Sequence, residues 1–353
     1  MVQLFFNLIK MGIGHYAFPI YNVSNWDEIQ ALAARQGLSA VLVDGVEKLP
    51  IANRPPKEIL LQWIGETLQS YEYRYELYGR AIAEIASFYN SNGYKMMLLK
   101  GYACAMNWPK PEHRPCGDID IWLFGKQKEA DALIAKEKGI RIDSSHHHHT
   151  VFYWHNFMVE NHYDFINVHH NKSNPDLEGI FKGLSQDDSH SIELYGEKVY
   201  LPSPNLHALF LLRHAINHFA SSEITIRQVM DWGFFVEKHT KEIDWEWMDS
   251  IIEGYGMDQM YGIFNAICVE DLGFDARIFS RVNFNPLLKD RVIKEIIAPR
   301  YSNEMPTFIL NRIFCKCRRW KYNKWKRELC YNESNASSLW SGIRAHLLKP
   351  KTI

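Results

Sequence analysis

The pattern of apolar and polar positions is most informative near the middle of the chain. Residues 95–99 (Lys-Met-Met-Leu-Leu) follow an Asn-Gly turn signal, so they predict a short buried strand that ends at Gly101. Apolar and polar residues alternate over 118–123, which predicts a second strand with one buried face. Because residues two apart in a strand point to the same side of a sheet, we expect Asp118 and Asp120 to project together.

Helical periodicity dominates both flanks of this region. In the N-terminal part it predicts a helix that begins at an Asn25 capping box and ends at Gly37, followed by one long or two broken helices over 57–90. Ser203-Pro204 predicts the start of a further helix, because Ser is a common cap and Pro suits the first helical position.

The segment between these flanks predicts strands and helices in alternation. Its predicted elements are a short helix over 103–108, a helix over 127–138, strands over 151–159 and 163–169 that pair around a turn at Asn161-His162, and a strand over 193–201. We therefore expect an α/β core at 93–202, between an N-terminal helical segment at 1–92 and a C-terminal helical domain at 203–353.

Composition is that of an ordinary folded protein. The chain has 353 residues, 46% of them apolar, and a formal charge of −1, so global charge predicts neither nucleic-acid nor membrane binding. No window is apolar enough to predict a membrane-spanning helix, and the polar residues within 1–20 favour mature structure over a signal peptide. Six cysteines are too sparse for a disulfide framework, which favours a reducing, cytoplasmic location.

The chemistry of the two central strands points to a metal and a phosphate. Two carboxylates on one face repel each other unless a cation lies between them, and Mg²⁺ often binds one or two carboxylates together with substrate phosphates. Gly101 allows a tight turn whose amide groups can face an anion, and Lys100 and Arg114 add positive charge. The alternative is a solvated strand edge that happens to carry Asp118 and Asp120.

These residues also carry a family resemblance. Leu98-Leu99-Lys100-Gly101, Arg114 and Gly117-Asp118-Ile119-Asp120 resemble the polymerase-beta-like nucleotidyltransferase superfamily. More narrowly, they are similar to the uncharacterised nucleotidyltransferase family that is often associated with bacterial polysaccharide gene clusters. The resemblance implies a polymerase-beta-like core with a mixed sheet, in which Asp118 and Asp120 bind Mg²⁺ or Mn²⁺. It also implies nucleotide binding by a set of neighbouring residues: Lys100, Gly101, Tyr102, Arg114 and Gly117.

The resemblance further implies a third carboxylate on a neighbouring strand, in a segment of the type Val-Glu-Ile-His. We match this segment to 165–170, where Asn167 stands in the place of the acid and His169 on the same face could serve as the base. An amide is a weaker metal ligand and cannot act as a base. Asn167, together with Tyr102 in place of a small residue, therefore leaves open a catalytically inactive nucleotide-binding or regulatory protein on the same fold.

Histidines and an arginine mark the remaining candidate positions. His214 and His218 share a helical face, and a buried structural pair is favoured over a zinc site. The run His146–His149 is interpreted as a solvated or edge-strand segment rather than a zinc site. Arg227 lies four residues before Asp231, close enough to pair with it, and is also a candidate nucleotide contact in the cleft.

The last candidate feature is a basic, aromatic segment near the C-terminus. Residues 312–330 combine Lys and Arg with Trp, Tyr and Phe. This composition is typical of contact with an anionic membrane surface, of stacking on nucleic acid, or of a basic helix that packs its aromatic residues on the protein. The function predicted for the whole chain is transfer of a nucleoside monophosphate from a nucleoside triphosphate, with Mg²⁺, to an unknown acceptor such as a small molecule or a saccharide.

Overall fold

The computed structural model describes residues 1–15, 23, 25–169, 171–279, 284–301 and 309–331. Helices make up most of this part of the chain. The α-helices are α1 (Val2–Ile13), α2 (Trp26–Gln36), α3 (Ser39–Glu47), α4 (Lys57–Thr67), α5 (Tyr73–Ser91), α6 (Tyr102–Ala105), α7 (Gln127–Lys138), α8 (Asn174–Leu184), α9 (Pro204–Ser221), α10 (Ile226–His239), α11 (Trp245–Gly254), α12 (Asp258–Ala266), α13 (Pro286–Ile297), α14 (Ile309–Tyr322) and α15 (Lys324–Cys330).

In the described part of the chain, six strands form one mixed sheet. They are β1 (Met97–Leu98), β2 (Ile119–Trp122), β3 (His149–Trp154), β4 (Phe157–His162), β5 (Ser191–Leu194) and β6 (Glu197–Tyr200), in the spatial order β3-β4-β2-β1-β6-β5. β2 runs parallel to β4 and β1 parallel to β6, whereas the other neighbours are antiparallel. The predicted α/β core with a mixed sheet, flanked by helical segments, is confirmed.

The two faces of the sheet belong to different apolar cores. Ile119 and Ile121 of β2 pack into a cluster with α5 and α7. Trp122, on the other face of β2, lies in a larger cluster that includes α9, α10 and the N-terminal helices. Because side chains alternate along a strand, Asp118 and Asp120 lie on the same side as Trp122, toward α9 and α10.

The strand predictions for 151–169 are wrong in register. The hairpin turns at His155, which has a φ of +51°, rather than at Asn161-His162, which lie within β4. Residues 163–169 form turns and bends instead of a strand. The reason is local: the buried Glu178 carboxylate of α8 accepts hydrogen bonds from the backbone N–H groups of Phe165 and Ile166, so these groups do not take part in the sheet.

Other predicted elements are partly confirmed. The helix over 127–138 is confirmed, and the helix predicted at 103–108 is the shorter α6. The strand predicted at 193–201 is two antiparallel strands, because a turn at Tyr195-Gly196 separates β5 from β6. The side chain of Asn25 makes no capping hydrogen bond to α2, although Gly37 ends that helix in the left-handed conformation as predicted.

The basic segment 312–330 packs partly on the body of the protein. Trp325 of α15 contacts Phe219 of α9, with ring centroids 5.7 Å apart, and Lys326 pairs with Glu295 at 2.9 Å. On α14, by contrast, the Phe314 side chain is exposed. Among the described residues, no helix has both the length and the apolar character needed to cross a membrane.

Candidate active site

A cavity of about 370 Å³ lies between the polar face of the sheet and helices α9 and α10. Residues from distant parts of the chain meet there because β2 lies between β1 and β4 in the sheet, while α9 and α10 close the opposite side. The chemically important lining residues are Lys100, Gly101, Gly117, Asp118, Asp120, His148, His149, Glu160, His214, His218, Arg227 and Asp231. The predicted glycine turn and the two predicted aspartates thus share one cavity.

Two of the lining carboxylates face each other across neighbouring strands. Asp120 of β2 pairs in register with Glu160 of β4, and both side chains line the cavity. Asp118, two residues before Asp120, adds a third carboxylate. Paired positions on neighbouring strands lie close enough for their side chains to share one ion.

Glu160, rather than Asn167, is therefore the third acid of this constellation. The sequence Val159-Glu160-Asn161-His162 itself has the Val-Glu-x-His form, a signal that the assignment of Asn161-His162 to a turn concealed. Asn167 lies in the loop after β4, where its side chain accepts a hydrogen bond from the backbone N–H of His169 at 2.9 Å. Neither Asn167 nor His169 lines the cavity that contains the aspartates.

Asp120 is the most deeply embedded of the three acids, with 1% of its side chain exposed. One carboxylate oxygen contacts both Lys100 Nζ at 2.7 Å and His162 Nε2 at 3.1 Å. Burial alone would raise the pKa of Asp120, yet the Lys100 charge and the hydrogen bond from His162 lower it well below the ordinary value. Burial likewise opposes the charge on His162, but its hydrogen bonds to Asp120 and Glu160 raise its pKa to about 9.

Asp118 has the opposite electrostatic character. The negative charge of Asp120, followed by burial, raises the pKa of Asp118 above its ordinary value. A hydrogen bond fixes the backbone at Asp118: the buried Tyr78 hydroxyl of α5 donates to the Asp118 carbonyl oxygen. The fold therefore holds the carboxylates of Asp118 and Asp120 close together, and a bound cation would reduce the repulsion between them.

The turn after β1 requires glycine. Gly101 has a φ of +60°, and a Cβ placed there would lie 2.7 Å from the Tyr78 hydroxyl and 3.3 Å from the Asp118 carbonyl oxygen. Tyr102, the next residue, does not line the cavity; its ring stacks on Tyr75 with centroids 4.7 Å apart. Gly117 lines the cavity and is exposed, with open space around its Cα.

The two predicted arginine contacts differ in how they are engaged. Arg114 is buried and makes two hydrogen bonds of 2.8 Å to the two carboxylate oxygens of Asp231, so Asp231 pairs with Arg114 and the predicted pair with Arg227 is wrong. Arg227 donates to the Pro115 carbonyl oxygen at 3.1 Å and pairs with no carboxylate among the described residues. Burial, followed by the charge of Arg114, lowers the pKa of Arg227.

The histidines approach the cavity from two sides. His214 and His218 lie on one face of α9 with ring centroids 4.4 Å apart, and His214 Nε2 lies 3.1 Å from Lys100 Nζ. Within the run His146–His149, the last residue begins the edge strand β3, as expected, but its side chain is only 7% exposed, so a solvated interpretation is wrong for His149.

The donor set at the bottom of the cavity fits a hard divalent cation. Asp118, Asp120 and Glu160 offer carboxylate oxygens, the ligands that Mg²⁺ and Mn²⁺ prefer. Oxygens of Asp120 and Glu160 and a nitrogen of His162 lie within 4.8 Å of one another. The raised pKa of Asp118 supports the same conclusion, because it reflects negative charge that the neighbouring cations do not fully balance.

Comparison with known proteins identifies the family of the chain. Residues 22–273 match the family described as uncharacterised nucleotidyltransferase. No curated protein matches the chain. Among solved structures, it is similar to an antigenic nucleotidyltransferase-like protein from Paracoccidioides brasiliensis, at 15% identity and a TM-score of 0.32, over 45% of this chain and 75% of that one. Because the family match spans well over half of its length, the chain belongs to the uncharacterised nucleotidyltransferase family.

Proposed function

We propose that the protein transfers a nucleoside monophosphate from a nucleoside triphosphate to an acceptor hydroxyl, with Mg²⁺ or Mn²⁺ held by Asp118, Asp120 and Glu160. One observation carries this proposal: the glycine turn and the carboxylates of Asp118, Asp120 and Glu160 line the same cavity, which also contains cationic side chains. Bound metal would neutralise the charge that develops on the phosphates and orient them for in-line attack.

Different residues have different roles in the proposed transfer. The acceptor oxygen attacks the α-phosphorus, the new P–O bond forms as the bond to pyrophosphate breaks, and the hydroxyl proton passes to Glu160. Asp120 is the poorer proton acceptor because Lys100 and His162 already engage the same carboxylate oxygen. The backbone at Gly101 seats the triphosphate, and Arg227, whose guanidinium pairs with no carboxylate among the described residues, supplies positive charge.

Arg114 has a different part in this proposal. Its guanidinium is occupied by Asp231, and the Trp108 indole N–H donates to the same carboxylate at 2.9 Å. Arg114 therefore ties the segment before β2 to α10 and so positions Arg227 and the aspartates. The phosphate contact that the family resemblance implies for Arg114 would require this buried pair to open.

The inactive alternative loses its main support. It depended on Asn167 in the place of the third acid and on Tyr102, whereas Glu160 offers a carboxylate in register with Asp120 and Tyr102 does not line the cavity. The nucleotide and the acceptor, for example a small molecule or a saccharide, remain predictions. Contact of 312–330 with an anionic surface would be restricted to α14, since α15 packs on the protein.

The test is transfer from nucleoside triphosphates labelled at the α-phosphate. The protein is incubated with each triphosphate, Mg²⁺ or Mn²⁺, and monosaccharides or sugar phosphates as acceptors, and both labelled product and pyrophosphate are measured. We expect turnover that falls at least about a hundredfold in Glu160→Gln with nucleotide binding retained, because a missing base slows the chemical step. Glu193→Gln, on the exposed edge strand β5, is the matched control. Binding of nucleotide without any pyrophosphate release would instead favour the non-catalytic alternative.

A further inference from the structure

A second group of potential ligands adjoins the carboxylates. His149 of β3 pairs in register with His162 of β4, so both side chains lie on the same face of the sheet as Glu160. His148 precedes β3, in a bend, and is therefore not forced to the opposite face. Nitrogen atoms from these three histidines lie within 4.8 Å of one another.

The imidazoles are buried and poorly satisfied by the protein. The side chain of His149 is 93% buried, and neither of its ring nitrogens has a hydrogen-bond partner among the described residues. Nδ1 of His148 is likewise buried without a partner. Buried polar groups are normally satisfied, so unpartnered nitrogens that face each other indicate a missing ligand.

Two of the separations between potential ligand atoms match tetrahedral coordination. His149 Nδ1 and His162 Nε2 each lie 3.5 Å from the same Glu160 oxygen. Ligand atoms on a tetrahedral Zn²⁺ ion with bonds of about 2.0–2.1 Å are separated by about 3.4 Å. His162 Nδ1 lies 3.2 Å from the Asp164 carbonyl oxygen and can donate to it, so a metal that displaces the Nε2 proton would meet the Nε2 lone pair directed toward the cluster. Histidine ligands of metals are commonly oriented in this way.

We infer that His148, His149 and His162, with Glu160, form a binding site for a transition metal of the Zn²⁺ class, next to the carboxylate site and sharing Glu160 with it. Imidazole nitrogens favour Zn²⁺, Co²⁺ or Ni²⁺ over Mg²⁺, which prefers oxygen ligands. The two sites therefore select different metals. This inference does not depend on the proposed transfer reaction.

The test uses the full chain, stripped of metal and then titrated with Zn²⁺ by calorimetry and with Co²⁺ by visible absorption, in excess Mg²⁺. We expect one bound ion per chain and Co²⁺ bands of a four- or five-coordinate site. His149→Ala and His148→Ala should each weaken binding by at least about tenfold. Circular dichroism establishes that each variant is folded.

Matched controls separate this site from two alternatives. His147→Ala alters the same histidine run but leaves the three ligands intact, so it should bind metal like the unaltered protein. Asp118→Asn removes a carboxylate of the neighbouring site and should also retain the Co²⁺ spectrum. The inference would be overturned by an absence of stoichiometric binding or by displacement of the ion by Mg²⁺. Equal losses in His147→Ala and His149→Ala would also overturn it, because they would indicate chelation by the histidine run 146–149 alone.

Discussion

Asp118 and Asp120 are expected to respond in opposite ways when each is replaced by asparagine in the metal-free protein. Asp120 is almost fully buried, and its carboxylate engages Lys100 and His162. Asp120→Asn leaves both cations without that partner. Loss of one member of a buried ion pair typically costs about 3–5 kcal/mol. Since Lys100 also contacts His214, the low end, about 3 kcal/mol, is expected here.

Asp118→Asn removes a charge that the fold disfavours. The raised pKa of Asp118 means that its ionised form is less stable in the folded than in the unfolded protein, so at neutral pH this charge reduces stability. The substitution should therefore be neutral or stabilising by up to about 1 kcal/mol. Asp120 has the opposite sign: its lowered pKa contributes stability above the unfolded pKa, and this is lost as the pH falls through the folded pKa.

Urea unfolding followed by tryptophan fluorescence, at neutral pH with chelator, measures both free energies of unfolding. The expected result is a difference of about 3 kcal/mol or more between the two variants, with Asp120→Asn the less stable. Added Mg²⁺ should stabilise the unaltered protein more than either variant, since ligand binding to the folded state raises its stability. Equal destabilisation by the two substitutions, or a neutral effect of Asp120→Asn, would refute the electrostatic account of the site.

Three further predictions concern other parts of the fold. Gly101→Ala should lower the free energy of unfolding by about 2–4 kcal/mol, because φ is positive and the new Cβ would contact a buried hydroxyl. Gly139→Ala, which has a positive φ but open space around it, should lower it by only about 1 kcal/mol. Urea unfolding measures both. Burial opposes the charge on His113, but its bonds to carboxylates raise its pKa. Its stabilising effect is therefore full below about pH 6.5 and is lost as the pH rises through the raised pKa. His113→Gln should remove this dependence of the unfolding free energy on pH, and His190→Gln, with an exposed ring, should not. Arg227→Ala should weaken binding of nucleoside triphosphate at least about tenfold in calorimetry while the fold is retained.

Each of these predictions has a contradicting outcome. Similar losses at the two glycines would show that the turn tolerates a side chain. An unchanged pH dependence after replacement of His113 would mean that its carboxylate partners do not hold its proton. Unaltered nucleotide affinity without Arg227 would remove that residue from the site.

The part of the site that was predictable from sequence is the part with local patterning. A strand that ends at a glycine and an Asp-x-Asp alternation depend on neighbouring residues only, and both Gly101 and the aspartates line the cavity. The cavity also needs α9 and α10, which bring Arg227 and the histidines into place through long-range packing that no local pattern specifies.

The wrong predictions arose where tertiary contacts override a local sequence pattern. Asn161-His162 has the composition of a turn, yet Asn161 is fully buried and donates to Asp131 of α7 at 2.8 Å, so tertiary contacts hold it in a strand. Because the local pattern predicts a turn at Asn161-His162, it assigns the third acid to the position of Asn167 instead of to Glu160. Similarly, Arg227 and Asp231 have the spacing of a helical pair, but the bidentate geometry of Arg114 competes successfully for the same carboxylate.

The most direct test of the central claim is a crystal structure with Mn²⁺ and a non-hydrolysable nucleoside triphosphate, with the metal located by its anomalous scattering. We predict an anomalous peak coordinated by Asp118 and Asp120, with Glu160 at the same centre and the triphosphate against the Gly101 turn. A peak elsewhere, or a triphosphate bound outside this cavity, would contradict the assignment of these residues to nucleotidyl transfer.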